Sequence, residues 1–342
     1  MKRILLPILQ TAITLFLLWW IFRDPTKRAS MAEAIRTADF IWLLPGVVAV
    51  GIAFLLQTER WRQLLKVQGI HLTWLRTWRI TMIGGFFNLF LLGATGGDVV
   101  KIFYAIKETA SKKSAALLSV LVDRMMGLVA LVAVTIFICS FRLNELLAHP
   151  FTQAMMGTLA LIMGGMLGMI IFGFLVDRLN LSRFIPTWLP MHGRIMEVSQ
   201  AFSVYARDLR VLAITFALSV PAHFCNFLAY YFAARAFGAF AGKGGVMDIF
   251  SVMPMINTIA ALPISLSGMG VREGLFEKAF NELFGTPASL AVMISMTGFL
   301  ITVFWGLMGG IVYLLHRPEG GVKISEMEEE VESLEKTIEN QA

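Results

Sequence analysis

Six long apolar runs govern what this chain can fold into. They lie at about 4–22, 40–57, 115–140, 154–176, 211–236 and 286–315, and each approaches or exceeds the roughly 20 residues an α-helix needs to cross the hydrocarbon core of a bilayer. Only helices and closed barrels satisfy their own backbone groups in that medium, and uniform apolar runs of this length are the helical solution. Composition agrees. Of 342 residues, 57% are hydrophobic and only 15% charged, against about 25% charged in soluble domains. That excludes a disordered chain and argues against a water-soluble enzyme. The two cysteines, Cys139 and Cys225, fall inside predicted spans and specify neither a disulfide framework nor a zinc site.

Two further apolar stretches, about 80–97 and 249–270, are interrupted by Gly, Pro and Asn. Taken with the six runs they give an all-α polytopic membrane protein of six full transmembrane helices plus two broken or re-entrant segments, eight membrane segments in all. Lys2 and Arg3 precede the first run and no small-residue cleavage site follows it, so it reads as a retained span. With the N-terminus inside and the broken stretches dipping in and returning, the inside segments hold 17 Lys and Arg, Arg60 among them, and the outside segments 9. That is the positive-inside pattern, with both termini cytoplasmic in a bacterial-type inner membrane.

The two halves of the chain correspond. The run at 40–57 recurs at 211–236, the broken stretch at 80–97 recurs near 249–270, and 115–140 recurs near 286–315, always about 170 residues on. Asn88 then stands against Asn257, Gly97 against Gly268 and Lys101 against Arg272. Each half has three full spans and one broken segment, and an odd number of crossings turns the second half upside down. The expected division is a first membrane repeat at 1–153, an inverted second repeat at 154–318 and an acidic tail at 319–342. Paired Gly- or Pro-interrupted segments in such repeats mark substrate sites in many transporters, because open backbone at membrane depth must line protein or a wet cavity. Gly96, Gly97, Gly268 and Gly270 permit sharp reversals, and exposed helix N-termini there favour anions. The plainer alternative is that these glycines serve close helix packing.

Asp123 and Arg124 lie about eight residues into a predicted span, roughly 12 Å along the helix from its inner end. Charges at that depth face an interior cavity, pair, or snorkel to the headgroups. In the first case Arg124 is a candidate phosphate ligand, with Asp123 as its orienting partner or a proton carrier. Lys101 and Arg272 follow the two glycine turns and suit phosphate, with Asp98 and Glu273 as their partners in an empty site. Interfacial anchoring is the alternative. Asn88 and Asn257 are placed to bond freed backbone groups or to touch substrate. His223 reads as a helix–helix hydrogen bonder. The tail carries eight Glu against Lys323 and Lys336, and Ile324, Met327, Val331, Leu334 and Ile338 recur at alternating spacings of three and four, a short heptad pattern that fits pairing with a second copy or a partner protein, packing against the basic inner loops, or a solvated acidic helix. The sequence carries no HExxH motif and no GxxxxGK[ST] loop, and no cofactor, metal or nucleic acid is expected.

Three ordered motifs carry a family resemblance: Gly-Phe-Phe-Asn-Leu-Phe-Leu-Leu-Gly-Ala-Thr-Gly-Gly-Asp-Val-Val-Lys at 85–101, Leu-Val-Asp-Arg-Met-Met-Gly-Leu at 121–128, and Leu-Pro-Ile-Ser-Leu-Ser-Gly-Met-Gly-Val-Arg-Glu-Gly at 262–274. Over most of 1–316 the chain resembles the lysylphosphatidylglycerol synthase transmembrane (flippase-region) family. The resemblance implies movement of lipids between leaflets and points to Asn88, Gly96, Gly97, Asp98, Lys101, Asp123, Arg124, Pro263, Gly268, Gly270, Arg272 and Glu273. Fused members add a cytosolic aminoacyltransferase domain. Here only the acidic tail follows, so lipid aminoacylation by this chain alone is not expected. The first glycine stretch also reads Leu-Gly-Ala-Thr where Leu-Pro-Gly-Gly-like residues would be expected. The resulting expectation is a flippase- or scramblase-type transporter of an anionic phospholipid or lipid-phosphate carrier. The rival readings are a membrane-embedded transferase acting on a lipid or lipid-linked sugar, and a non-catalytic partner of a separate lipid synthase.

Overall fold

The computed structural model describes residues 2–90, 96–108, 113–178, 205, 208–239, 245–262 and 264–316. Among these residues the regular structure is entirely helical. In chain order the helices are α1 (Lys2–Phe22), α2 (Pro25–Thr37), α3 (Leu43–Val67, entered through a 3-10 turn at Phe40–Trp42), α4 (Trp74–Phe90), α5 (Gly96–Glu108), α6 (Lys113–Phe141), α7 (Leu143–Ala148), α8 (Pro150–Arg178), α9 (Leu209–Ala236), α10 (Val246–Ala260), α11 (Val271–Phe284) and α12 (Ala288–Leu315).

Four stretches among the described residues, Phe40–Val67, Ser114–Phe141, Leu209–Ala236 and Ala288–Leu315, are helical, apolar and 28 residues long. At 1.5 Å per residue each spans about 42 Å, beyond the roughly 30 Å of a hydrocarbon core. Their outer faces are apolar too, as are those of their neighbours: Phe141, Leu161 and Leu315 are more than 70% exposed. A soluble surface does not present that much hydrocarbon. The chain is a polytopic membrane protein. The helix α2, with Asp24 accepting from the Thr26 amide as its N-cap, was not foreseen. It is polar, and it is tied to α11 by a 2.6 Å ion pair from Lys27 to Glu277.

The two broken stretches are now explicit. Gly97 at the start of α5 lies beside Gly84 within α4, and the Lys101 side chain also runs against Gly84. Residues that far apart in one continuous helix would be separated by about 20 Å, so α4 and α5 fold back on each other as a hairpin. In the second stretch, α10 ends at Ala260, a 3-10 turn covers Leu266–Gly268 and α11 starts at Val271. Here α10 packs against α11.

The long helices α3 and α9 pack extensively on each other in the centre. Around them, α4 packs on α12, α10 on α6, α5 on α6 and α11 on α12. The largest core cluster joins α6, α9, α10 and α11, with Phe276 and Phe280 stacked at a 4.0 Å centroid separation. Lipid is as apolar as leucine, so hydrophobic burial does not hold such helices together; close packing does. Small residues provide it. Gly46 sits against Ala229 and Phe232 across the α3–α9 contact, and Gly306, Gly309 and Gly310 let α12 approach Leu89, Met82 and Phe86 of α4.

A Cβ at Gly309 would collide with the Met82 carbonyl, whereas one at Gly157 would meet nothing within 4 Å. Gly309→Leu is therefore expected to lower stability by about 1–3 kcal/mol or more, and Gly157→Leu to be neutral. Thermal unfolding of both variants in detergent checks this.

Candidate functional site: two buried charge clusters

The first cluster forms where α3, α5, α6 and α9 meet. Asp123, 3% exposed on α6, accepts a hydrogen bond from Arg60 Nε of α3 at 2.7 Å, and its other oxygen lies 3.6 Å from Lys101 Nζ of α5. Arg60 also donates to Ser219 Oγ of α9 at 3.1 Å. The Lys101 ammonium stands 5.3 Å from the ring centre of Trp61, whose indole N–H donates to Ser119 Oγ. Arg60 and Lys101 are both buried. Two cations thus share one carboxylate in a setting where an uncompensated charge costs several kcal/mol. Beside them, Arg124 pairs with Asp98.

The second cluster lies at the start of α11. Arg272 and Glu273, both buried, pair at 2.8 Å. The Glu273 carboxylate also accepts from Ser295 Oγ of α12 at 3.2 Å and from the Gly270 amide at 2.6 Å. The Arg272 guanidinium lies 4.0 Å from the centre of the Phe299 ring, and the Tyr230 hydroxyl of α9 is a further neighbour. One cation meets one anion here, so this cluster is balanced.

Ser219 and Tyr230 are eleven residues apart on α9, which sets the two clusters about 16 Å apart along that helix.

Each break in the backbone is held by a borrowed polar group. Asn88 Oδ1 accepts from the Gly97 amide at 2.9 Å, and Gly97 is where a Cβ would run into Asn88 and the Gly84 carbonyl. In the second stretch the Leu266 amide donates to Thr14 Oγ1 of α1 at 2.8 Å, while Gly270, at φ 82°, takes a left-handed conformation pressed against Leu17. Gly268 is likewise left-handed, at φ 74°.

The residues singled out by sequence therefore fall as follows. Lys101 and Asp123 join the first cluster, with Arg124 and Asp98 as a neighbouring pair; Gly270, Arg272 and Glu273 make the second. Asp98 partners Arg124 rather than Lys101, and Asp123 partners Arg60 and Lys101 rather than Arg124. Asn88 and Gly97 shape the first hairpin, where Gly96 opens α5, and Gly268 shapes the second turn. The Asn257 side chain makes no bond of the Asn88 kind among the described residues; its carbonyl accepts from the Ala261 amide. Pro263 and the tail at 319–342 lie outside the described residues. Arg60 was counted with the inside loops but is a buried member of the first cluster, and Thr14, Tyr230 and Ser295 were not anticipated. His223 bonds the Gly127 carbonyl at 2.8 Å, joining α9 to α6.

An all-helical membrane protein with ionic groups buried beside broken helices is the class that fold and site define. The model for the lysylphosphatidylglycerol synthase TM region matches residues 8–310, and the chain belongs to that family. It is also 26% identical over 341 residues to a UPF0104 membrane protein of Pyrococcus horikoshii, an alignment covering 93% of this chain and 98% of that one.

Removing the carboxylate of the first cluster leaves two buried cations without it. Asp123→Asn is expected to destabilise by about 3–5 kcal/mol, whereas Lys101→Met, which leaves the Arg60–Asp123 pair intact, costs much less. Denaturation of purified protein in detergent distinguishes the two. Thr14→Val strips the Leu266 amide of its acceptor and is expected to cost about 1–3 kcal/mol, read as faster hydrogen exchange at 264–270.

Proposed function

We propose that this chain moves a lipid with an anionic headgroup, a phospholipid or lipid-phosphate carrier, between the leaflets of the membrane, in the manner of a flippase or scramblase. The observation that carries the reading is the first cluster. Arg60 and Lys101 share Asp123 beside the α4–α5 hairpin. An excess cation at such depth calls for an anion, and a phosphate monoester or diester answers that need. The family's name, which includes a lipid synthase, supports a lipid as the ligand.

The reading includes an inverted repeat, α3–α6 against α9–α12, with the α4–α5 and α10–α11 stretches as re-entrant elements. Its support is that the packing scheme survives exchange of the halves. Contact of α4 with α12 answers α10 with α6, α5 with α6 answers α11 with α12, and α3 with α6 answers α9 with α12. The clusters follow the same register. Arg60 corresponds to Tyr230, Lys101 to Arg272 and Asp123 to Ser295, each about 170 residues on. Peripheral helices break the exchange, since α1 and α8 both pack on α11. A bacterial-type inner membrane with both termini cytoplasmic goes with this reading.

The test is leaflet-to-leaflet movement of headgroup-labelled lipids in proteoliposomes. Intact protein is expected to accelerate it, and Lys101→Met and Arg272→Ala to slow it by about tenfold or more. Intact transport in folded variants of both residues would reject the site. No movement of any anionic lipid by folded wild-type protein would reject the transporter itself, in favour of a transferase or a partner of a synthase.

A further inference from the structure

His223 of α9 is a titratable side chain that the transport reading leaves unused, and it stands at the edge of the first cluster. Its Nε2 lies 2.8 Å from the Gly127 carbonyl of α6. A carbonyl only accepts, so Nε2 carries a proton and the neutral ring keeps its lone pair at Nδ1. Among the described residues Nδ1 has no hydrogen-bond partner. Gly127 itself lies against Arg60, where a Cβ would stand 3.0 Å from Nη1. Two helices frame that guanidinium in matching steps. Asp123 and Gly127 are one turn apart on α6, Ser219 and His223 one turn apart on α9, and residues at that spacing share a face. Arg60 bonds the first member of each pair, Asp123 and Ser219, and the second members bond each other.

Among the described residues Arg60 is the charge that acts on the ring. Other charged groups on the helices packed against α9 are engaged elsewhere. Glu59 of α3 goes to Arg62 and Gln63, Asp123 of α6 to Arg60 and Lys101, Arg124 to Asp98, and Asp248 of α10 to Arg142. The helix α12 carries no charged residue, and Arg210 and Arg235 lie near the two ends of α9. A proton at Nδ1 would therefore set a third cation beside Arg60 and Lys101, with Asp123 alone against them. An anionic headgroup seated on those two cations offsets that charge. Binding of the anion and binding of the proton then favour each other, and by linkage to the same factor. Histidine is also the side chain whose charge ordinarily changes near neutral pH. We propose that His223 takes up a proton from water when an anionic headgroup occupies the first cluster and releases it when the headgroup leaves, so that this chain carries a proton together with its lipid. The inference rests on the transport reading of that cluster and supplies it with a driving force. A singly charged diester and one proton cross together without net charge, and a proton gradient sets the direction of movement.

The test uses the full chain in detergent and dihexanoyl phosphatidylglycerol, a diester whose phosphate stays singly charged throughout the range in which histidine titrates. Calorimetric titration in buffers of different ionisation enthalpy counts the protons taken up per lipid bound. Unaltered protein is expected to take up a large fraction of one proton, and its affinity to rise by about three- to tenfold per unit fall in pH through that range. His223→Gln, whose amide nitrogen can still donate to the Gly127 carbonyl, and His223→Phe, which keeps a ring beside Phe227, are each expected to abolish the uptake and to hold the affinity at its high-pH value. Binding by the unaltered protein without proton uptake overturns the inference and leaves the transport reading standing. Uptake that survives in either folded variant assigns the proton to another group and overturns it equally. Folded protein that binds no anionic lipid at any pH rejects both.

Discussion

Hydrocarbon offers no hydrogen bonds, and that one constraint organises this molecule. A helix interrupted inside the membrane exposes amide and carbonyl groups that cost several kcal/mol each unless the protein itself satisfies them. The chain meets the cost locally at both interruptions. Asn88 reaches the Gly97 amide, Thr14 reaches the Leu266 amide from a different helix, and Glu273 closes back on Gly270. The glycines at these places follow from the same requirement. Gly97 allows α5 to lie against α4 closely enough for the Asn88 bond, and Gly270 supplies the left-handed residue from which α11 starts.

The same constraint acts on charge. A buried ion pair gains little net stability, but a buried ion deprived of its partner is costly. Arg272 and Glu273 obey this simply, as a closed pair with Ser295 and Tyr230 around it. Among the described residues Arg60, Lys101 and Asp123 set two cations against one carboxylate. A cluster that served stability alone would be better built like the second. That departure from balance is what the proposed transport reading uses, since real proteins break the rules of stable packing chiefly at functional sites.

The long helices and the hairpin positions were legible in the sequence because each leaves a local mark, in the length of an apolar run or a Gly-rich break within one. Partner choice was not legible. Asp123 and Arg124 are neighbours in sequence, yet their side chains point about 100° apart on a helix and go to different partners. Arg60 was hidden by Glu59 and Arg62, which make it look like part of a headgroup cluster. Its depth was the available signal. It lies seven residues from the C-terminal end of α3, about 10 Å by helical rise, close to the roughly 12 Å estimated for Asp123. The role of Thr14 left no mark at all, since a single polar residue in a first span has many uses and its partner is some 250 residues away.

If the chain carries lipid as proposed, the difference between the clusters has a mechanical consequence. A headgroup passing along α9 would leave a site with a cation to spare for one that is already neutral, about 16 Å away. To bind there it must displace Glu273 from Arg272, and Glu273 is also the cap that holds the Gly270 amide. Arrival of an anion at the second cluster is thereby coupled to the start of α11, the helix on which α1, α2 and α8 all bear through Leu17, Lys27 and Phe151. The first cluster has no such linkage in its own carboxylate, because Asp123 contacts side chains rather than the hairpin backbone. On the transport reading proposed above, the two clusters would therefore act differently, the first holding an anion and the second converting its arrival into movement of the surrounding helices.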